Sequence, residues 1–471
     1  MKAGQSRPWQ PRHAFGCVLV LVLGLGLAGV AGAEGVGRTP AGKTSPTCYF
    51  ISDLHIGGDA GLNYCHFEAE LIGLLREIAA GPQPAELIIV GDAFGLWELT
   101  EVEGASKLAS IAATHPELFA QFRETGRRVK ITLLPGNHDY DLACVRSYVA
   151  EIAQWNIVLE PGIHVTREVA GRKIWIEHGN QHDAFNRFPD FGNRYGLPAG
   201  YFITTHTVAA AAEHAPMGRS PWLDDLQSVY PNEEIPLWIW SSYFYKEMTP
   251  ILRWCLLPFL LLFSVSVVVF AGRTLEKWRV LPTKVFGVKF GKRFGIGGRV
   301  VDGILWVNGV VISALLVLAI PAFLLARDVR SALHRYGVEQ SEGLKVQKEE
   351  EYLAAARTVF EKDPSVAVYV YGHTHAVSMR KLGPRYVINT GTWLKRLERV
   401  PAHFRLLPPV YYPTYRLNYF TLSEQGGELR IGYEIIPKKP PPDVTWLEWL
   451  MILGRRPEQG EPIPAETIVG R

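Results

Sequence analysis

Cys48-Tyr-Phe-Ile-Ser-Asp-Leu-His55 begins as a short apolar strand and ends on two side chains that can bind a cation. In extended backbone, residues i and i+2 point the same way, so Asp53 and His55 are expected to aim at one place. Four more strand-like runs end in the same manner. Glu86 to Val90 stops on Gly91-Asp92, Val129 to Leu134 on Pro135-Gly-Asn-His-Asp139, Lys173 to Glu177 on His178-Gly179, and Val366 to Tyr371 on Gly372-His-Thr-His375. Between the first of these, Phe67, Leu71, Leu74, Leu75 and Ile78 recur at helical spacing, and Gly81-Pro82 ends that helix. A second helical stretch is expected from Ser106 to Phe122, interrupted near Pro116, and another from Lys345 to Phe360. Further strands are expected at Tyr386 to Asn389, Leu417 to Leu422 and Glu428 to Ile435. The order is β-α-β-α-β, an α/β class in which polar groups collect beyond the carboxyl ends of strands.

Asp, Asn and His form an oxygen and nitrogen donor set that suits Mn, Fe or Zn better than a thiolate-seeking metal. Asp53, His55, Asp92, Asn137, His178, His373 and His375 are too many for one ion with open positions, and they fit two. A carboxylate has two oxygens, so Asp92 can bridge cations roughly 4 Å apart. The glycines before Asp92, Asn137 and His373 allow unusual backbone angles or close approach.

The ordered set D-x-H, GD, GNHD, H and GH-x-H resembles the signature of the calcineurin-like metallophosphoesterase superfamily, over about Cys48 to Ile436. The resemblance implies a four-layer α/β/β/α sandwich with a dinuclear centre at the strand ends. It gives one metal to Asp53, His55, Asp92 and His375, and the other to Asp92, Asn137, His178 and His373, with manganese favoured. His138 is then the remaining polar group. It protonates the leaving oxygen or stabilises the phosphoryl charge with Asp139 orienting its ring, or it serves as a support residue behind the ligands. The implied reaction is hydrolysis of a phosphoester by a metal-held hydroxide. Phe50 to Gly57, Gly91 to Trp97, Gly136 to Tyr140 and Asn389 to Trp393 look most like the UDP-2,3-diacylglucosamine pyrophosphatase branch, which suggests a lipid-linked substrate. The chain departs from that branch in carrying Asn180-Gln181-His182 after His178-Gly179, where the branch usually has an acid, and in the long insertion before His373. Asn180, His182, Asp183, Asn186 and Arg187 follow a ligand and are candidates for reading substrate or for a solvated loop.

Two runs inside that insertion, 251–271 and 303–326, are each close to the about 20 apolar residues that span a hydrocarbon core. Trp238, Trp240, Tyr243, Phe244 and Tyr245 precede the first and read as an aromatic belt. The connection, 272–302, holds eight Lys and Arg against two acids, which places it on the cytoplasmic side and both outer flanks on the other. The N-terminus supports the same orientation: Lys2, Arg7 and Arg12, an apolar run from Cys17 to Val30, then Ala31-Gly-Ala33, a signal peptide or an uncleaved anchor. The expected organisation is therefore 1–33 signal or anchor, 34–47 linker, 48–250 and 327–436 a split catalytic domain, 251–271 and 303–326 membrane spans, 272–302 a basic loop, and 437–471 a Pro-rich tail. The tail's Trp446, Trp449 and Leu450 to Leu453 suit a helix lying on the bilayer or packing on the domain.

The formal charge is +3, and the basic connection alone carries +6, so the remainder is slightly acidic and has no footprint for nucleic acid. Five cysteines without a C-x-x-C are too few for a disulfide scaffold. No N-x-S/T sequon occurs, which favours a bacterial inner membrane facing the periplasm. The expected partners are a phosphoester, lipid-linked or periplasmic, and the membrane; the oligomeric state is left open. Two other readings stay open: a non-catalytic scaffold on the same fold, and a cytoplasm-facing pyrophosphatase.

Overall fold

In the computed structural model, which describes residues 45–470 apart from 60–61, 209–221, 232–233, 282–284, 287–288, 336–348, 404–406, 442–443 and 459, two sheets carry the expected strands. The first has seven strands: β1 (Thr47–Ile51), β2 (Ala85–Val90), β3 (Lys130–Leu134) and β4 (Ile157–Leu159) run parallel. β13 (Leu417–Gln425), β14 (Glu428–Ile436) and β15 (Glu466–Val469) extend it from β1 as antiparallel strands, giving the order β15-β14-β13-β1-β2-β3-β4. The second sheet joins β5 (His164–Val169), β6 (Arg172–Glu177), β8 (Val366–Tyr371), β9 (Ser378–Leu382) and β10 (Arg385–Asn389) in the order β5-β6-β8-β10-β9, with β6, β8 and β10 parallel. The signal or anchor at 1–33 and most of the linker lie outside the described residues.

Alternation sorts the strand residues between two cores. Cys48, Phe50, Ile88 and Val90 of the first sheet share one buried cluster with Ile174, Ile176, Val368 and Ile388 of the second. Ile51, Leu87, Ile89 and Ile131 point the other way, into a cluster with Leu71, Leu75 and Ile78 of the helix Glu68–Ala80. Pro116 ends the next helix as expected: it opens Pro116–Thr125, which follows Ser106–Thr114. On the second sheet's other face, Tyr352, Ala356 and Phe360 of the helix Glu349–Lys362 pack on Tyr369 and Val387.

Some of the fold was not read from sequence. A third sheet of β7 (Val229–Tyr230), β11 (Arg396–Val400) and β12 (Val410–Thr414) was not anticipated, because its strands are short and lie between loop-like segments. The stretch 437–471, expected as a tail, returns to the first sheet as β15 and packs a helix on the domain. Of the expected aromatic belt, Trp238, Phe244 and Tyr245 are buried in the domain, and Trp240 and Tyr243 remain exposed. The described cysteines are free thiols.

The two apolar runs form helices longer than expected, Pro250–Lys277 and Phe290–Arg335, the second broken at Phe294 and Gly295. Both are long and apolar enough to cross a membrane, with mean hydropathy 2.5 and 2.7. In the most apolar 18 residues of each, only 12% and 0% are buried, unlike the core helices of a soluble domain. They pack on each other through a polar contact: Asn308 Nδ2 donates to Ser266 Oγ at 2.9 Å and to the Phe259 carbonyl at 3.2 Å.

Between the two sheets, buried Glu86 of β2 accepts from Arg167 Nη2 at 2.8 Å and Thr132 Oγ1 at 2.6 Å and lies 3.0 Å from Lys130 Nζ. Burial raises its pKa, but Arg167 and Thr132 outweigh that and hold it below the usual carboxylate range. A lowered folded pKa stabilises above the unfolded value and loses that contribution as pH falls through the folded one. Arg167→Ala is therefore expected to destabilise by about 3 kcal/mol at neutral pH, with the deficit shrinking on acidification. Thermal unfolding of both proteins in detergent at two pH values checks this.

Candidate metal centre

The candidate donors lie just beyond the ends of β1, β2, β3, β6 and β8, on loops held in unusual backbone. β1 stops at Ile51, so the expected strand alternation does not aim Asp53 and His55. Instead Asp53 (φ 52°), His55 (φ 44°), Asp92 (φ 50°), His373 (φ 68°) and His375 (φ 58°) all sit in the left-handed region. Each such non-glycine residue costs about 1–3 kcal/mol unless its surroundings over-determine it. Here they do: the N–H groups of Asp53, Leu54 and His55 donate to the carbonyls of Gly91, Asp92 and Asp92. Glycine is needed where the loops meet. A Cβ on Gly136 would stand 2.1 Å from Asp92 Oδ1, and one on Gly91 would stand 2.3 Å from His178 Nδ1.

All seven expected donors converge. His375 Nε2 lies 3.3 Å from Asp53 Oδ1, and His178 Nε2 lies 3.1 Å from Asp92 Oδ2 and 3.2 Å from Asn137 Oδ1. His55 Nε2 is 3.7 Å from the same Asp92 oxygen. Three groups have ligand atoms within 4.8 Å of one another: Asp53, His55 and His375; His55, Asp92 and His138; and Asp92, His178 and His373. Asp92 belongs to two of them, and its other oxygen accepts the backbone N–H of His138 at 2.8 Å.

These residues fit a pair of divalent cations. Neither ring nitrogen of buried His55 closes a hydrogen bond: Nε2 and Nδ1 stand 3.7 and 3.6 Å from the Asp92 and Glu98 carboxylates, beyond hydrogen-bond reach. Burial opposes charge here, yet His178 and then His138 hold Asp92 well below the usual carboxylate range. Against the same burial, Glu98 and Asp92 push His55 up to about 9, and Asp92 pushes His178 up to about 10. Carboxylates thus recruit protons onto facing imidazoles, the positive charge a cation supplies when it displaces those protons.

His138 is set differently from the expectation. Asp139 does not orient its ring: that carboxylate accepts the N–H groups of Ala93 at 2.8 Å and Phe94 at 3.2 Å and also that of Gly136, so it ties the second and third loops together. Burial and then Asp92 push Asp139 up to about 7 while these donors oppose them. The ring is held by Glu98, whose Oε1 is 2.7 Å from His138 Nδ1 and 3.6 Å from His55 Nδ1, and by Trp97, whose ring centroid is 4.5 Å away. Glu98 is fully buried; burial raises its pKa, but His138 and His55 hold it well below the carboxylate range. Glu98 was missed in the sequence, although a lone acid between Trp97 and Leu99 in an apolar stretch was a usable signal.

The residues after His178 divide. Asp183 Oδ2 faces His373 Nε2 at 3.0 Å, and Asn186 reaches both Asp183 and Asn137, so these two border the centre. His182 turns back to Glu177 at 2.7 Å, Asn180 bonds the Asn186 carbonyl, and the N–H of Arg187 caps Asp183's carbonyl. Asn389-Thr-Gly-Thr-Trp393 braces the first loop: Thr390 Oγ1 meets Ser52 Oγ at 2.6 Å, and Thr392 Oγ1 donates to the Asp53 carbonyl at 2.8 Å.

Residues 46–239 match the family model of the calcineurin-like phosphoesterases. Over those residues the chain matches a calcineurin-like metallophosphoesterase domain. Of the donors of this metallophosphoesterase domain, Asp53, His55, Asp92, Asn137 and His178 fall within the matched residues, and His373 and His375 arrive from beyond the apolar helices. No curated protein sequence matches the chain. Among solved structures, wild-type Vps29 complexed with Zn from Entamoeba histolytica is 9% identical, over 83% of this chain and 92% of that one, with a TM-score of 0.25. A conserved uncharacterized protein from Streptococcus pneumoniae is 8% identical over 85% and 94%, with a TM-score of 0.25. A phosphopantetheinyl hydrolase from Mycobacterium tuberculosis is 13% identical over 74% and 90%, with a TM-score of 0.23.

Proposed function

We propose that this protein is a membrane-anchored phosphoesterase whose split domain is a four-layer α/β/β/α sandwich and which hydrolyses a lipid-linked or periplasmic phosphoester at a two-cation centre. The observation that carries this reading is Asp92, buried, shared between two donor groups and facing His55 and His178 with the same oxygen. Asp53, His55, Asp92 and His375 would hold one cation, and Asp92, Asn137, His178 and His373 the other. When bound, such cations neutralise phosphoryl oxygens and activate water for in-line attack. The chain's own part is to fix these donors and to manage the leaving group. With Nδ1 engaged by Glu98, His138 keeps Nε2 as the nitrogen that meets substrate, and it donates a proton to the departing oxygen.

Glu98 sets its buried charge against that ring, 2.7 Å from Nδ1. Glu98→Gln keeps the volume and removes the charge, and is expected to lower kcat by about 10- to 100-fold. Steady-state kinetics showing a fall in kcat with little change in KM checks it.

The anchoring rests on two exposed apolar helices, and the outward orientation on the basic connection between them. Residence at the bilayer raises the local concentration of a lipid-linked ester. Detergent-solubilised protein with Mn should hydrolyse one of three substrates: a monoester, a diester or a lipid-linked pyrophosphate. Activity on any one supports the reading and names the bond; inactivity on all three with metal loaded makes the scaffold reading the better one. Reporter fusions within 272–302 test the orientation.

A further inference from the structure

We propose that the helix Trp446–Ile452 is an interfacial foot, which lays its outer face in the headgroup layer of the bilayer that the two apolar helices cross. This rests on the membrane-spanning reading given above, and adds to it a second, non-spanning contact.

The helix is short but firmly made. Thr445 and Glu448 form a reciprocal capping box, so the one acid of the helix is turned inward and is 4% exposed. Its far end is pinned where the N–H of His403 donates to the Met451 carbonyl at 2.8 Å and Arg455 Nη2 to the Pro401 carbonyl at 2.8 Å. The inner face, Leu447, Met451 and Ile452, is buried against Phe244, Tyr245 and Val410.

The outer face is exposed among the described residues, and it is apolar: Trp446 is 66% exposed, Trp449 59%, Leu450 43% and Leu453 58%. Two tryptophans on an unpaired face, followed by exposed Arg455 and Arg456, match the chemistry of the headgroup boundary, where indoles and basic side chains partition. The position along the neighbouring helix identifies the occupant. Leu447 and Met451 line a small apolar cavity together with Trp254 and Leu257. Those two residues belong to the first two turns of Pro250–Lys277, within about 10 Å of the start of its apolar run at 1.5 Å per residue. The foot therefore sits at the depth where that helix passes from headgroups into hydrocarbon, continuous with exposed Ile251 and Trp254. Because the segment leaves β14 and returns as β15, the foot is tied at both ends to the sheet that carries the candidate centre.

The test places p-benzoylphenylalanine, one position at a time, at 449, at 316 in the second apolar helix, and at 149 on the domain surface. The full chain is reconstituted in phosphatidylethanolamine and phosphatidylglycerol bilayers and irradiated. All three native side chains are exposed, so the probe is accommodated. Phospholipid adducts at 449 and 316 with none at 149 are expected. An adduct at 316 without one at 449 would overturn the foot and leave the spanning helices standing. Cross-linking of 449 to a second chain would overturn it in favour of a contact between copies. No lipid adduct at 316 would overturn the spanning reading and the foot with it.

Discussion

Asp92→Asn is expected to lower kcat by about 10³-fold or more on whichever ester the wild type cleaves, because a buried site's charge stabilisation depends on that carboxylate. The substitution keeps shape and removes charge. Asp92 is 1% exposed and lies between His55 and His178, with His138's backbone N–H on its other oxygen. An amide there offers one acceptor oxygen instead of two equivalent ones and faces imidazoles with its NH₂, so the two donor groups no longer share a charge. The loss should appear together with a fall in cations bound per chain, measured by elemental analysis. A fall in activity with full cation occupancy would place the defect elsewhere.

His138→Ala is expected to reduce kcat by about 10²- to 10⁴-fold, the usual contribution of a positioned general acid. Size alone does not distinguish proton donation from electrostatic support. The leaving group does: an ester with a poor leaving group needs the proton, whereas a nitrophenolate departs without it. The deficit should therefore be large for an alkyl ester and should shrink for a p-nitrophenyl ester, with bound cations unchanged. An equal deficit on both would assign His138 to charge stabilisation or to support of the donors, the alternative left open by the sequence.

The strand tips were legible because short apolar runs ending on Asp, Asn or His are local signals. Cys48 to His55, Gly91-Asp92 and Gly372 to His375 needed no tertiary knowledge to be grouped. How the donors are aimed was not legible. Left-handed angles at Asp53, His55, Asp92, His373 and His375 are fixed by hydrogen bonds between loops far apart in sequence, as the bonds of the first loop to Gly91 and Asp92 show. The partner of His138 was misassigned to Asp139 for the same reason. Adjacency suggested that residue, while the fold delivers Glu98 from another loop and uses Asp139 to collect three N–H groups. The aromatic cluster before the first apolar helix shows the limit of composition. Trp238, Phe244 and Tyr245 suit a headgroup layer chemically, but the short third sheet and the C-terminal helix supply buried surface for them.

The most direct test of a shared two-cation centre is elemental analysis of the full chain, purified in detergent and equilibrated with Mn, paired with phosphate-ester hydrolysis on the same sample. Two divalent cations per chain and hydrolysis of at least one ester are expected. One cation or none, in a protein as inert as Asp92→Asn, would contradict it.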